Sequence, residues 1–337
     1  KEPFSVDYTD SRDQVFWFDK DLAEVQASID KVLGEGQHGV IISRSRDHQT
    51  LLVHVGSPSS PGGYYVYTLE SGTMHRIARV NEKLAAGDLA QVRYVTYKAR
   101  DGMDIAAYLT LPAGRDPTKL PLIILPHGGP FWVRDHGGFD EEVQFYANRG
   151  YAVLQPQFRG SDSFGKAFFD AGKGQWGRAM QDDLDDGMDW LVKRGVVDAG
   201  RVCIIGSSYG GYAAMWGAIR NPERYRCAAS FAGVMDIARQ VKYSNSFDSD
   251  KGNREDWRKM VQGSDAAFDL KTISPQFNAD KVKVPLLVMH GDKDQRVPFK
   301  QSRMFVDALK AAGKPVEFYT LAGEGHGFSS TANEQQW

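Results

Sequence analysis

The sequence predicts an α/β chain, a mostly parallel, doubly wound sheet preceded by a small antiparallel β unit over residues 1–85. Apolar runs at 122–125, 151–154, 202–205, 227–231, 286–289 and 316–321 alternate with helical segments, notably 182–193, 209–219 and 300–311. Strands that are apolar throughout belong to a sheet covered on both faces. A Gly-x-Ser-x-Gly motif sits between one such strand and the helix after it. Residues 39–78 read differently, as short alternating strands separated by turn chemistry.

The N-terminal strand candidates are 39–43, 50–55, 64–69 and 74–78. Arg46-Asp47, the stretch from Ser57 to Gly63, and Glu70-Ser71-Gly72 supply the turns between them. Four strands in about 40 residues is the repeat of one β-propeller blade. Residues 4–18 could be the remnant of another. A single blade leaves apolar faces and strand edges uncovered.

From residue 86 onward the elements build one catalytic domain. Residues 92–99 and 105–111 form a hairpin around Asp101-Gly102. The strand at 122–125 runs into Pro126-His127-Gly128-Gly129-Pro130. Glycines at that place leave backbone N–H groups free to face an oxyanion, and Gly129 is the expected donor. His127 reads as a loop-shaping residue. The carboxylates of 182–189 read as a solvated helix face. Cys203 and Cys227, the only cysteines, read as buried free thiols and form no metal spacing.

Val202 to Ile205 leads into Gly206-Ser207-Ser208-Tyr209-Gly210-Gly211-Tyr212 and then a helix. Strand, Gly-x-Ser-x-Gly, helix is the nucleophile elbow of the α/β-hydrolase fold, with Ser208 held at the tip of a strained turn. The N–H of Tyr209, the next residue, is the expected second oxyanion donor. The strand at 286–289 ends in His290-Gly291-Asp292-Lys293-Asp294, and the strand at 316–321 is followed by Gly325-His326-Gly327. Serine, acid, histidine is the hydrolase order. Neutral His326 can take the serine proton, and a carboxylate at 292 or 294 would fix its tautomer.

Together these residues resemble the prolyl oligopeptidase family of serine peptidases, particularly its acylaminoacyl-peptidase branch. The resemblance runs through Tyr108-Leu109-Thr110-Leu111-Pro112, His127-Gly128-Gly129-Pro130, Phe158-Arg159-Gly160-Ser161 and Gln175-Trp176-Gly177. It continues through Gln181-Asp182-Asp183, the elbow, residues 290–298 and Gly325-His326-Gly327. The resemblance implies that the acid is Asp294, the second aspartate of a His-Gly-x-x-Asp-x-x-Val-Pro stretch. It also implies that Arg296 contacts a substrate carbonyl. One departure is Ser161-Asp162-Ser163-Phe164-Gly165, where relatives often carry Ser-Thr-Gly-Tyr-Gly; the triad lies elsewhere.

The family carries a propeller of several blades ahead of its hydrolase domain. This chain is therefore expected to be the C-terminal portion of a longer enzyme, lacking most of the propeller and the final helix. A naturally short hydrolase with a small β cap is the alternative. At 337 residues, 42% hydrophobic and 25% charged, the chain can bury one large core and a smaller unit. A net charge of −2 gives no reason to expect nucleic acid or an anionic membrane, and no run of about 18 apolar residues is present. A cytoplasmic location is the leading expectation, with a periplasmic or secreted one as the alternative.

The expected activity is hydrolysis of short peptides through an acyl-enzyme, with no cofactor and no metal. An esterase or lipase is the alternative, and a catalytically dead binding module is a third reading that an intact triad opposes. Uncovered blade edges would favour self-association, so a homo-oligomer stands beside the peptide substrate among expected partners. Tyr243, Phe247 and Trp257 are candidates for the wall of the specificity pocket, with ordinary core packing as the equal alternative for each.

Overall fold

In a computed structural model of the chain, residues 3–33, 37–84, 89–245 and 250–337 are described. The contacts divide into two compact units. One gathers Lys1–Tyr94, Thr110–Arg115 and His136–Gly150; the other gathers Val95–Leu109, Asp116–Asp135 and Tyr151–Trp337. The boundary expected at 85/86 falls outside the described residues.

In the first unit, β1 (Ser5–Thr9) and β2 (Asp13–Trp17) form an antiparallel hairpin, followed by helix α1 (Lys20–Leu33). Then β3 (His38–Arg44), β4 (Thr50–Ser57), β5 (Ser60–Thr68) and β6 (Thr73–Arg79) pair in sequence order as an antiparallel meander. All four strands stand where the alternation placed them. The turn expected between Ser57 and Gly63 is shorter, because β5 already begins at Ser60. Gly62 has φ 72°, and a Cβ there would lie 1.8 Å from the Val55 carbonyl oxygen, so glycine lets the strand bulge and continue.

Helix α1 was not among the expected elements. Val25, Ile29 and Leu33 recur every four residues and form a narrow apolar stripe. The stripe packs on Leu51, Val53, Val55 and Tyr67 of the meander. The Asp19 carboxylate accepts the Leu22 N–H at 3.1 Å and caps the first turn. Helix α2 (Glu141–Asn148) also belongs to this unit and is capped in the same way by Asp140.

The second unit holds most of an eight-stranded sheet. Its strands are β7 (Gln91–Lys98), β8 (Asp104–Leu111), β9 (Leu120–Ile124), β10 (Ala152–Pro156), β11 (Val197–Ser207), β12 (Cys227–Phe231), β13 (Leu286–Gly291) and β14 (Val316–Leu321). Helices α3 (Lys166–Ala171), α4 (Ala179–Lys193), α5 (Tyr209–Arg220), α6 (Ile237–Asn245), α7 (Lys251–Gln262), α8 (Lys300–Ala311) and α9 (Thr331–Glu334) intervene. The spatial order is β14-β13-β12-β11-β9-β10-β8-β7. The pairs joining β10, β9, β11, β12, β13 and β14 are all parallel. This is the α/β-hydrolase arrangement.

After β9 the chain goes to one side for β10 and returns to the other for β11. The carboxyl ends of β9 and β11 therefore flank a topological switch point, where an open α/β sheet forms its crevice. The glycines after β9 and Ser208 after β11 are delivered to that point. All of α5 but its final arginine is buried, which explains why its sequence is apolar on every side.

Two expectations fail here. Helix α4 turns only part of its carboxylates to solvent: Asp183, Asp185 and Asp186 are buried, while Asp189 is exposed. Arg159 grips Asp183 through Nε at 2.9 Å and Nη2 at 2.7 Å, and its Nη1 reaches Asp101 at 2.7 Å. Arg100 holds Asp186, while Tyr225 and Asn221 donate to Asp185. Buried carboxylates persist because each has its donors. The cysteines are also not free thiols. Cys203 and Cys227 are register partners on neighbouring parallel strands, with Cα atoms 4.9 Å apart, and are joined as a disulfide.

Candidate active site

Ser208 occupies the single residue between β11 and α5, with φ 59° and ψ −119°. Left-handed φ is costly for a residue with a Cβ and persists where surrounding structure enforces it. The enforcement comes from packing. A Cβ on Gly206 would lie 2.6 Å from the Gly210 carbonyl group, and one on Gly210 would lie 2.1 Å from the Pro126 carbonyl oxygen. The backbone N–H of Ser208 donates to Phe231 of β12 at 2.9 Å, pinning the turn to the sheet.

Asp294 and His326 meet. His326 Nδ1 lies 2.6 Å from Asp294 Oδ2, while Oδ1 accepts the backbone N–H groups of Arg296 and Val297 at 2.8 and 3.0 Å. Burial of Asp294 works against its charge, but hydrogen bonds from His290 and His326 and from the Val297 N–H outweigh it. The carboxyl is held well below the ordinary carboxylate range. Asp292, the rival acid, is exposed and accepts the Gly323 N–H at 2.8 Å. It caps a turn and does not face His326.

One cavity of about 450 Å³ is lined by Ser208, His326, Tyr209, Gly129 and Arg296. Tyr209 is the first residue of α5, so its N–H has no acceptor within the helix. Its phenol is buried, and burial raises its pKa far above the usual range, followed by the Asp183 charge. The residue therefore offers the site its backbone. Gly128 passes beside the serine, with its pro-Cβ direction 3.4 Å from Ser208 Cβ. His127 is buried, stacks on Phe158 at 4.3 Å and meets Ser161 Oγ at 2.8 Å through Nε2. It shapes the loop, as expected, and the departing Ser161 segment supplies its partner.

Trp176, Trp257, Tyr243, Val234 and Val297 complete an apolar wall. Two of the three wall candidates, Tyr243 and Trp257, are thus in place, and Phe247 lies outside the described residues. The Arg296 guanidinium has no hydrogen bond or ion pair among the described residues, although its backbone carbonyl accepts from Gln240 at 2.8 Å.

Two residues to which the motifs assigned no role complete the surroundings. His290 is fully buried against Asp294. Glu324, 1% exposed, accepts the N–H and hydroxyl of Ser329, the N–H of Ser330 and the Asn333 amide. It thereby closes the loop that carries His326. Phe328 and Trp337 pack on Phe231 just beyond. A glutamate two residues before the histidine, with Ser329, Ser330 and Asn333 downstream, was the available signal for this cap. Among the described residues no cluster of His, Cys, Asp or Glu could hold a metal ion, and no helix is long and apolar enough to cross a membrane.

The chain is 35% identical over 343 residues to dipeptidyl aminopeptidase BIII of Pseudoxanthomonas mexicana, covering 98% of this chain and 48% of that protein. Among solved structures, a Mycobacterium tuberculosis puromycin-hydrolyzing peptidase superposes with TM-score 0.71 at 25% identity, over 83% of this chain and 43% of the other. The Pyrococcus horikoshii acylaminoacyl peptidase gives TM-score 0.70 at 25% identity, over 87% and 46%. The chain thus spans less than half the length of each of these relatives. The prolyl oligopeptidase family pattern matches residues 138–337, which hold Ser208, Asp294 and His326 in their order, and the chain belongs to that family.

Proposed function

We propose that the chain is the catalytic part of a serine peptidase that hydrolyses short peptides through an acyl-enzyme on Ser208. The observation that carries this reading is the 2.6 Å contact of His326 Nδ1 with Asp294 Oδ2, at the wall of the cavity that Ser208 lines. A proton on Nδ1 leaves Nε2 free as the base. His326 takes the Ser208 hydroxyl proton as Oγ attacks the scissile carbonyl, and Asp294 stabilises the imidazolium. The N–H groups of Tyr209 and Gly129 receive the oxyanion. Collapse expels the amine, which leaves with the proton from His326, and water reverses the sequence to release the acid.

Arg296, uncommitted at the cavity wall, is assigned to a substrate backbone carbonyl. The names of the Pseudoxanthomonas and Pyrococcus relatives support a peptide substrate over a plain ester. The β3–β6 meander is read as one blade of a propeller, with residues 1–85 as its remnant and 86–337 as the hydrolase domain.

A fluorophosphonate probe tests the reading. It should label the wild type and Ser207→Ala but not Ser208→Ala, and the two proteins that label should, before exposure to the probe, cleave a peptide anilide. A wild-type chain that stays unlabelled overturns the proposal. Labelling with ester turnover but no anilide turnover favours an esterase.

A further inference from the structure

His290 is the penultimate residue of β13 and has no exposed surface. Its Nε2 lies 2.9 Å from the Val297 carbonyl oxygen and 3.1 Å from Asp294 Oδ2. A carbonyl can only accept, so Nε2 carries the proton, and that N–H is shared between the carbonyl and the carboxylate. On the opposite side of the ring, Nδ1 lies 2.7 Å from Ser302 Oγ near the start of α8. In neutral imidazole Nδ1 is then the acceptor, and the Ser302 hydroxyl donates. The edge of Phe299 closes a further side at 5.8 Å between ring centroids.

Asp294 Oδ2 consequently receives two side-chain donors, His326 at 2.6 Å and His290 at 3.1 Å. Oδ1 is already taken by the backbone N–H groups of Arg296 and Val297. Among the described residues, Asp294 is the one ionisable group that bonds to His290, and likewise the one that bonds to His326. The His290 donor has two consequences. It resists rotation of the carboxylate away from His326, and it draws charge from Oδ2. The second effect weakens the hydrogen bond that Oδ2 can accept from His326.

The geometry points to His290 as a positioning residue for the reaction: its Nε2–H holds Asp294 Oδ2 against His326, and Ser302 fixes the tautomer that allows it. This role rests on the assignment of Ser208, Asp294 and His326 as the catalytic triad. It accounts for an ionisable ring being placed in a fully buried position where an apolar side chain would pack at lower cost.

The test compares kcat, KM and the pH profile of kcat/KM on an acyl ester for the wild type, His290→Leu, His290→Gln and Ser302→Ala, with thermal melting alongside. Leucine supplies no donor, whereas the glutamine amide can reach the place of Nε2. His290→Leu should lower kcat by about tenfold to a hundredfold, the loss of one hydrogen bond to a charged group, with KM little changed. The acid limb of its profile should move up by about half a pH unit or more, because Asp294 Oδ2, with one donor fewer, bonds His326 more strongly. His290→Gln should restore the limb and most of kcat. Ser302→Ala should move the limb the same way by less.

A folded His290→Leu with the wild-type limb and kcat overturns the role of His290 while leaving the triad standing. If that variant does not fold, a wild-type limb in Ser302→Ala together with a displaced one in His290→Gln overturns it instead. Wild-type protein without Ser208-dependent turnover would sink the triad assignment, and this role with it.

Discussion

Asp294 and His326 are 32 residues apart in sequence, with α8 and β14 between them, yet Oδ2 and Nδ1 approach to 2.6 Å. Asp292, only two residues from Asp294, turns outward to cap Gly323. Adjacent parallel strands explain the contrast. β13 and β14 pair from Leu286↔Val316 to Gly291↔Leu321, so the loops after them emerge side by side. Both carboxylates of the tight turn after Gly291 reach the neighbouring loop, Asp292 at the Gly323 N–H and Asp294 at the His326 ring.

Exchange of each acid for its amide should separate them. Asp294→Asn is expected to cost about four orders of magnitude in kcat, through loss of the correct tautomer and of imidazolium support. Asp292→Asn should cost less than tenfold. Measured kcat values for the two variants check this, and a larger loss at Asp292 would refute the assignment.

The backbone at Ser208 makes a prediction about stability. A residue with a Cβ held at φ 59° and ψ −119° carries about 1–3 kcal/mol of strain. Ser208→Ala keeps that strain, whereas Ser208→Gly releases it at an entropic cost of about 0.5–1 kcal/mol. The glycine variant should therefore be the more stable of two inactive proteins, by about 1 kcal/mol. Urea unfolding of both decides the matter. A glycine variant less stable than the alanine variant would show that the elbow stores no strain.

Arg296 should discriminate between substrates. Its guanidinium has no partner among the described residues, so its removal should leave the fold intact. Arg296→Ala is expected to lower kcat/KM for a peptide by about 1.5–3 kcal/mol, the range for a hydrogen bond to a charged group. Turnover of a p-nitrophenyl ester, which lacks the second carbonyl, should change little. Equal losses on both substrates would point to a structural role.

Much of the site was legible because its geometry is local. Gly206, Ser208 and Gly210 specify a turn by their spacing alone, and the apolar strands at 227–231 and 316–321 coincide with β12 and β14 residue for residue. What escaped depends on partners distant in sequence. Nothing near Asp183 or Asp186 announces Arg159 or Arg100, so a helix rich in carboxylates reads as solvated. Cys203 and Cys227 become neighbours only through strand register. Helix α1 presents a stripe of single apolar residues between charges, too narrow to stand out beside the strands that follow it.

Glu324 supports the last expectation, which concerns pH. Its carboxylate receives the Asn333 amide at 2.7 Å, the Ser329 hydroxyl and N–H at 2.6 and 2.8 Å, and the Ser330 N–H at 3.0 Å. These donors, led by Asn333 and Ser329, hold its pKa down at about 2, against an ordinary 4.5. A carboxyl depressed by folding stabilises the native state above its unfolded pKa, and that contribution is lost as pH falls through the folded value. Glu324→Gln presents an amide nitrogen to a backbone N–H, that of Ser329 or of Ser330, which can only donate, so it breaks part of the cap at every pH. The difference in Tm between wild type and variant should be greatest above about pH 4.5 and should shrink as pH falls toward about 2. Because the capped loop carries His326, kcat at neutral pH should fall with the stability. Melting curves from pH 7 to pH 2 provide the measurement. A Tm difference that stays constant across that range would mean that the Glu324 charge contributes nothing to closing the loop.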